Sequence, residues 1–178
     1  MSNTPTHQLN DTKDWTWVTT TRCPDCGFNP SDITTDNLPH HITGSVTTWP
    51  TLLQRPNAAH RPNAHTWSTL EYAGHLNDVF DVMDTRLTLI LTTDHPTFPN
   101  WDQDEAATTG AYHLNNPVTL ASALTTKADH AATRYAQLSA SQHARTGQRS
   151  DGAEFTATTL GLYLLHELVH HHWDVTRY

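Results

Sequence analysis

Between residues 66 and 93 the chain reads TWSTLEYAGHLNDVFDVMDTRLTLILTT, and no other stretch restricts the fold as much. Leu70, Ala73, Leu76, Val79, Phe80, Met83, Leu87 and Ile90 recur at the helical period. Ser68 followed by Glu71 is a capping box at its start. A helix of this length with one apolar stripe must be covered by others, because a stripe left in water would forfeit its burial energy.

Three further segments supply partners. DNLPHHITGSVTTWPTLLQR, residues 36–55, places Ile42, Val46, Trp49, Leu52 and Leu53 at helical spacing. Asp36 or Asn37 is the expected N-cap, Pro39 lies near the first turn, and Pro50 is expected to bend the helix. In NPVTLASALTTKADHAATRYAQLSA, Asn116 caps, Pro117 takes the first helical position, and Leu120, Leu124, Ala128, Ala131 and Leu138 form the stripe. The last helix is expected over about residues 153–176, after the turn TGQRSDG. No segment alternates as a half-buried strand would, and there is no internal repeat. Four helices joined with one long crossover, DHPTFPNWDQDEAATTGAYHLNNP, predict an all-α four-helix bundle over residues 36–178. The crossover is read as a connection with at most one helical turn. Residues 1–35 are read as an irregular extension, packed on the bundle through Trp15 and Trp17.

Charge narrows the partners. Lys+Arg number 10 against Asp+Glu 18, a formal charge of -8, with no basic cluster. The counterion-release term behind most non-specific nucleic-acid affinity is therefore missing, and an anionic membrane surface offers no attraction. No apolar run is long enough to span a bilayer, and MSNTPTHQLNDTKDW lacks the basic and apolar regions of a secretory signal. The expectation is a soluble, cytoplasmic protein with neither nucleic-acid nor membrane partner.

The chemistry is concentrated in YLLHELVHHHWDV, residues 163–175. Helical residues four apart share a face, so His166 with His170 and Glu167 with His171 are two possible ligand pairs. Either supplies two of the three protein ligands of an open catalytic zinc site, and His75, mid-helix in EYAGHLNDVF, is the candidate third. One residue turns a helix by about 100°, so the two pairs cannot serve one metal. The pair not used would stand behind the ligands or line the pocket.

TWSTLEYAGHLNDV resembles the second-helix motif of the DinB-like superfamily of four-helix-bundle metalloproteins, with its Trp-Ser/Thr start and ligand His. HELVHHHWDV resembles the last-helix motif of the same superfamily, and the match runs from about residue 36 to the end. Many members use His-x-x-x-His, which would select His166 and His170. Glu167-x-x-x-His171-x-Trp173-Asp174 instead resembles the form in the mycothiol-dependent maleylpyruvate isomerase branch, and the Trp-Asp favours Glu167 and His171. The resemblance implies a divalent metal, Zn²⁺ foremost with Ni²⁺, Fe²⁺ or Mn²⁺ as alternatives. It also implies a low-molecular-weight thiol such as mycothiol as cofactor, an electrophile as substrate, and transferase or isomerase activity, in a homodimer. Asp174 is a candidate catalytic acid or base. Trp101, Asp104 and Tyr112, on the crossover, are candidate substrate contacts, although a plain packed connection fits them equally. A non-catalytic metal-binding bundle in stress response or detoxification is the alternative.

Cys23 and Cys26, in CPDCG, are the only cysteines. The motif resembles half of a zinc ribbon, which needs a second ligand pair. His40 and His41 are available for one, but the first helix is expected to hold them elsewhere. A structural turn, reduced or locally disulfide-bonded, is the expectation, with metal binding and redox function as alternatives.

Overall fold

The computed structural model describes residues 14–178; residues 1–13 of the expected extension lie outside the described residues. The described chain begins with two 3-10 turns, Thr16–Thr19 and Pro30–Asp32. The first packs against the last helix of the chain.

The helix over 36–55 is in fact two: α1, Leu38–Val46, and α2, Trp49–Leu53. Pro50 has no N–H to give the Val46 carbonyl, so α1 stops instead of bending, and Pro50 sits in the first turn of α2 where the missing donor costs nothing. Asn37 stands at the N-cap position, but its side chain accepts from the Thr34 N–H at 2.8 Å instead of from the helix.

α3, Thr69–Thr92, starts with the expected reciprocal cap. Ser68 Oγ accepts from the Glu71 N–H at 3.2 Å, and Glu71 Oε2 accepts from the Ser68 N–H at 2.9 Å. All eight stripe residues of α3 are buried. At its far end Arg145 donates to the carbonyls of Ile90 (2.6 Å) and Thr93 (2.7 Å). These would otherwise be left without partners at the helix terminus.

The crossover holds more structure than one turn. It contains β1 (Thr97–Phe98), α4 (Gln103–Thr109) and a 3-10 turn, Tyr112–Leu114. Asp102 caps α4, accepting from the Asp104 and Glu105 N–H groups. α5, Pro117–Ala136, is capped by Asn116 as expected; Leu138 falls beyond its end, and Tyr135 completes the buried stripe.

After the short α6 (Ala140–His143) come β2 (Thr146–Arg149) and β3 (Glu154–Thr156), then α7 (Ala157–Thr176). β1 pairs parallel with β2, and β2 pairs antiparallel with β3, Gly147 opposite Phe155. The absence of strands expected from the sequence is therefore corrected. Strands of two to four residues are too short to display alternation, and β2 lies inside the segment that reads as a turn.

α1 and α3 each pack against both α5 and α7, giving a four-helix bundle. Gly161 lets α7 approach closely: a Cβ there would meet Leu38 Cδ2 of α1 at 2.7 Å and Tyr135 Cε1 of α5 at 2.8 Å. No helix among the described residues is long and apolar enough to cross a membrane.

Candidate metal centre

α7 begins on a capping box of Thr156 with Thr159. Leu160, Leu164 and Leu168, at i, i+4 and i+8, are at most 1% exposed and set its core-facing stripe. Glu167 and His171 lie along one edge of that stripe, beside α3. His166 is two positions from Leu164 and so roughly 200° around the helix. It and His170 turn to the side covered by the N-terminal segment. α7 is apolar nearly all round because it is covered on both sides.

His75 on α3 meets Glu167 and His171. His75 Nε2 lies 3.4 Å from Glu167 Oε2, and His171 Nε2 lies 3.3 Å from the same oxygen. The three candidate ligand atoms all fall within 4.8 Å of one another. His75 is only 1% exposed, walled by Trp101 stacked at 5.5 Å and Trp67 at 5.4 Å between ring centroids. Tyr72 covers His171 at 4.9 Å.

Behind His171, its Nδ1 pairs with Asp174 Oδ2 at 2.9 Å, and Arg177 donates to Asp174 Oδ1 at 3.0 Å. The hydrogen bond to Asp174 fixes the ring and aims Nε2 at Glu167. Asp174 therefore stands on the far nitrogen of His171, not among the three converging atoms.

The electrostatics suit a cation. Burial keeps His75 below the ordinary imidazole pKa, so it is neutral, as a ligand must be. Burial alone would raise the Glu167 carboxyl, but hydrogen bonds to His171 and His75 hold it well below the usual carboxylate range. Burial alone would lower His171, yet the Asp174 and Glu167 carboxylates outweigh it and push the imidazole up to about 9. Two carboxylates thus share one protonated ring where a divalent ion would supply the positive charge, and two imidazoles with a carboxylate are an established zinc donor set. These residues fit a divalent metal.

The centre opens onto a cavity of about 570 Å³. Trp101 and Asp104 line it, as do Glu167, His171 and Asp174. Tyr112 is placed elsewhere: it is buried against Gly74 of α3, and its hydroxyl donates to Asp78 Oδ2 at 2.6 Å. Its position two residues after Gly110 gave no sign that the turn would send it into the core. Sequence reasoning missed Arg149 and Tyr163 on the cavity wall; Arg149 is held by Asp151 at 2.9 Å through its Nε. Nothing in TGQRSDG marked Arg149, because its burial depends on the β1–β2 pairing.

The second register lines the same cavity, on the side of the N-terminal segment. His166 and His170 gather with Cys23 and Cys26, all four candidate ligand atoms within 4.8 Å of one another. Both cysteines are free thiols. His40 and His41 are exposed on α1, their ring centroids 6.1 Å apart, and are not among the residues gathered with Cys23 and Cys26.

No family model matches the chain, and no curated protein matches it by sequence. Among solved structures it is similar to YfiT from Bacillus subtilis, described as a probable metal-dependent hydrolase with an unusual four-helix bundle topology. The TM-score is 0.71 at 17% identity, over 80% of this chain and 86% of that one. At that identity the likeness establishes the fold.

Proposed function

We propose that the protein is a divalent-metal-dependent enzyme of the DinB-like type, with His75, Glu167 and His171 as the metal ligands. The observation that carries this reading is the convergence of His75 Nε2 on Glu167 Oε2 and His171 Nε2, with Glu167 and His171 lining an open cavity. Three protein ligands with an open side are the mark of a catalytic rather than a structural centre. When bound there, the metal supplies acidity, lowering the pKa of a thiol or water so that its nucleophilic form persists at neutral pH.

The chain's own residues do the rest. Trp101 and Trp67 exclude water from His75 and keep it neutral. Asp174, held by Arg177, orients His171 and acts as a positioning group. The cavity is of ligand size, and Asp14, Asn100, Asp102, Gln103 and Asp104 give it a hydrogen-bonding rim. Such a rim suits a polar, hydroxyl-bearing thiol such as mycothiol better than an apolar ligand. The reading is transfer of that thiol to an electrophile, or isomerisation assisted by it. Trp101 and Asp104 contact the substrate.

Hydrolysis is the second reading, favoured by the description of YfiT. The metal-loaded protein assayed with a panel of small thiols and electrophiles, and with esters and amides, separates them. Turnover that requires a thiol supports transfer; thiol-independent cleavage supports hydrolysis; metal binding without turnover leaves a binding protein. His75→Ala is expected to lose the metal of this centre by metal analysis. A variant that keeps it would overturn the ligand assignment.

A further inference from the structure

The geometry points to a second, structural metal site in which Cys23, Cys26, His166 and His170 hold one zinc ion and fasten the N-terminal segment to α7. It is independent of the centre proposed above, since the two share no ligand.

The donor atoms come from two places that cannot have met by local chain geometry. Cys23 and Cys26 sit on a tight turn, closed by the Gly27 N–H donating to the Cys23 carbonyl at 3.1 Å and the Cys23 N–H donating to the Phe28 carbonyl at 2.8 Å. Gly27 has φ 78°, a left-handed conformation that a side chain would strain. His166 and His170 are one helical turn apart on α7 and present both rings to this turn. Cys23 Sγ and His170 Nδ1 are 3.7 Å apart. With bonds of about 2.3 Å to sulfur and 2.0–2.1 Å to nitrogen, a tetrahedral zinc spaces its ligand atoms roughly 3.3–3.8 Å apart. A pair at 3.7 Å is already at that spacing, and the 4.8 Å limit on the whole set leaves at most about 1–1.5 Å of closure.

Charge and burial say why zinc belongs there and why the site is structural. Cys23 is 0% exposed, His166 2% and His170 9%. Trp15 covers both imidazoles, its ring 5.5 Å from His166 and 5.0 Å from His170, and Phe28 covers His166 at 5.6 Å. A buried ion is tolerated only if its charge is cancelled. Zinc with two thiolates and two neutral imidazoles has no net charge, the two thiol protons leaving to solvent on binding. Four protein ligands also close the coordination sphere, as in structural zinc sites. His170 joins the two centres at one remove: Asp174 Oδ2 lies 3.9 Å from its Nε2 and 2.9 Å from His171 Nδ1. Because Asp14 and Trp15 line the cavity, this zinc would also hold one of its walls.

Metal content of the full chain, purified with zinc and then dialysed, tests the assignment. Two equivalents are expected in the wild type and one in the double variant Cys23→Ser, Cys26→Ser. Cobalt substitution is expected to give a sulfur-to-cobalt charge-transfer band in the wild type and in His75→Ala, and none in the double-serine variant. Should that variant fail to fold, alkylation of the wild type answers the same question: both thiols protected with zinc, both labelled after chelation. Equal labelling in the two states, a Cys23–Cys26 disulfide, or a cobalt spectrum without the sulfur band would overturn the site. Loss of metal in His75→Ala with the sulfur band intact, or its failure to occur, bears only on the first centre.

Discussion

His166 and Glu167 are neighbours in sequence and belong to different clusters of candidate ligands, because about 100° of helical turn separates their side chains. The same holds for His170 and His171. Asp174 touches both sides, 3.9 Å from His170 Nε2 and 2.9 Å from His171 Nδ1. Outer hydrogen bonds of this kind set ring orientation and ligand basicity, and their loss typically costs 10–100-fold in metal affinity. Asp174→Asn is therefore expected to weaken metal binding at His75, Glu167 and His171 by about 10–100-fold while the helix stays folded. Competition against a chelator of known affinity measures it. Unchanged affinity would mean that His171 is oriented by packing against Tyr72 instead.

At the scale of the element, α3 carries both a ligand candidate and the most elaborate helix start in the molecule. Glu71 accepts from the Ser68 N–H and hydroxyl and from Arg61, whose Nε lies 3.0 and 2.9 Å from the two carboxylate oxygens. Burial alone would raise this carboxyl, but Arg61 and Ser68 hold it below the usual range. Glu71→Gln keeps the shape and loses the charge, at a cost of about 1–2 kcal/mol. In a chain of this size each kcal/mol lowers Tm by roughly 2–4 °C. The sign with pH follows from the depressed folded pKa. The charge contributes in full above the unfolded carboxylate pKa of about 4.3 and is lost as pH falls through the lower folded value. The Tm gap between wild type and Glu71→Gln should thus be widest near neutrality and shrink below about pH 4. A gap that persists at low pH would assign the cost to shape rather than charge.

This capped helix was legible in the sequence because caps and stripes are local: Ser68, Glu71 and eight apolar positions carry the information within one segment. α1 and α2 were legible as helix but not as two, since Pro50 is compatible with either a bend or a break until α5 and α7 take up the faces. The strands were not legible, because β2 exists only through its partners, β1 on the crossover and β3 after the turn.

For the whole molecule, the described N-terminal segment has little structure of its own, two 3-10 turns, and is held by what it packs on. If a zinc centre fastens it, chelation should release it while the bundle persists. Limited proteolysis is expected to cut within residues 20–36 in chelator and to spare them in zinc, with circular dichroism largely unchanged. Equal cutting in both conditions would mean that Trp15, Trp17 and Phe28 hold the segment by packing alone.

By itself the sequence determined that the chain forms helices, where α1, α3 and α5 start, and that one helix bears two candidate ligand pairs on different faces. Each of these follows from spacing within a single segment, where 3.6 residues per turn converts order into direction. Tertiary structure alone decided which pair meets His75, 92 residues from Glu167, and which meets Cys23, 147 residues from His170. Spacing on one helix gives the angle between two faces. What each face looks at depends on how α3 and the N-terminal segment pack around α7. That arrangement is settled by burying Leu160, Leu164 and Leu168 in the bundle and covering the opposite face with Trp15 and Phe28, which no local pattern encodes.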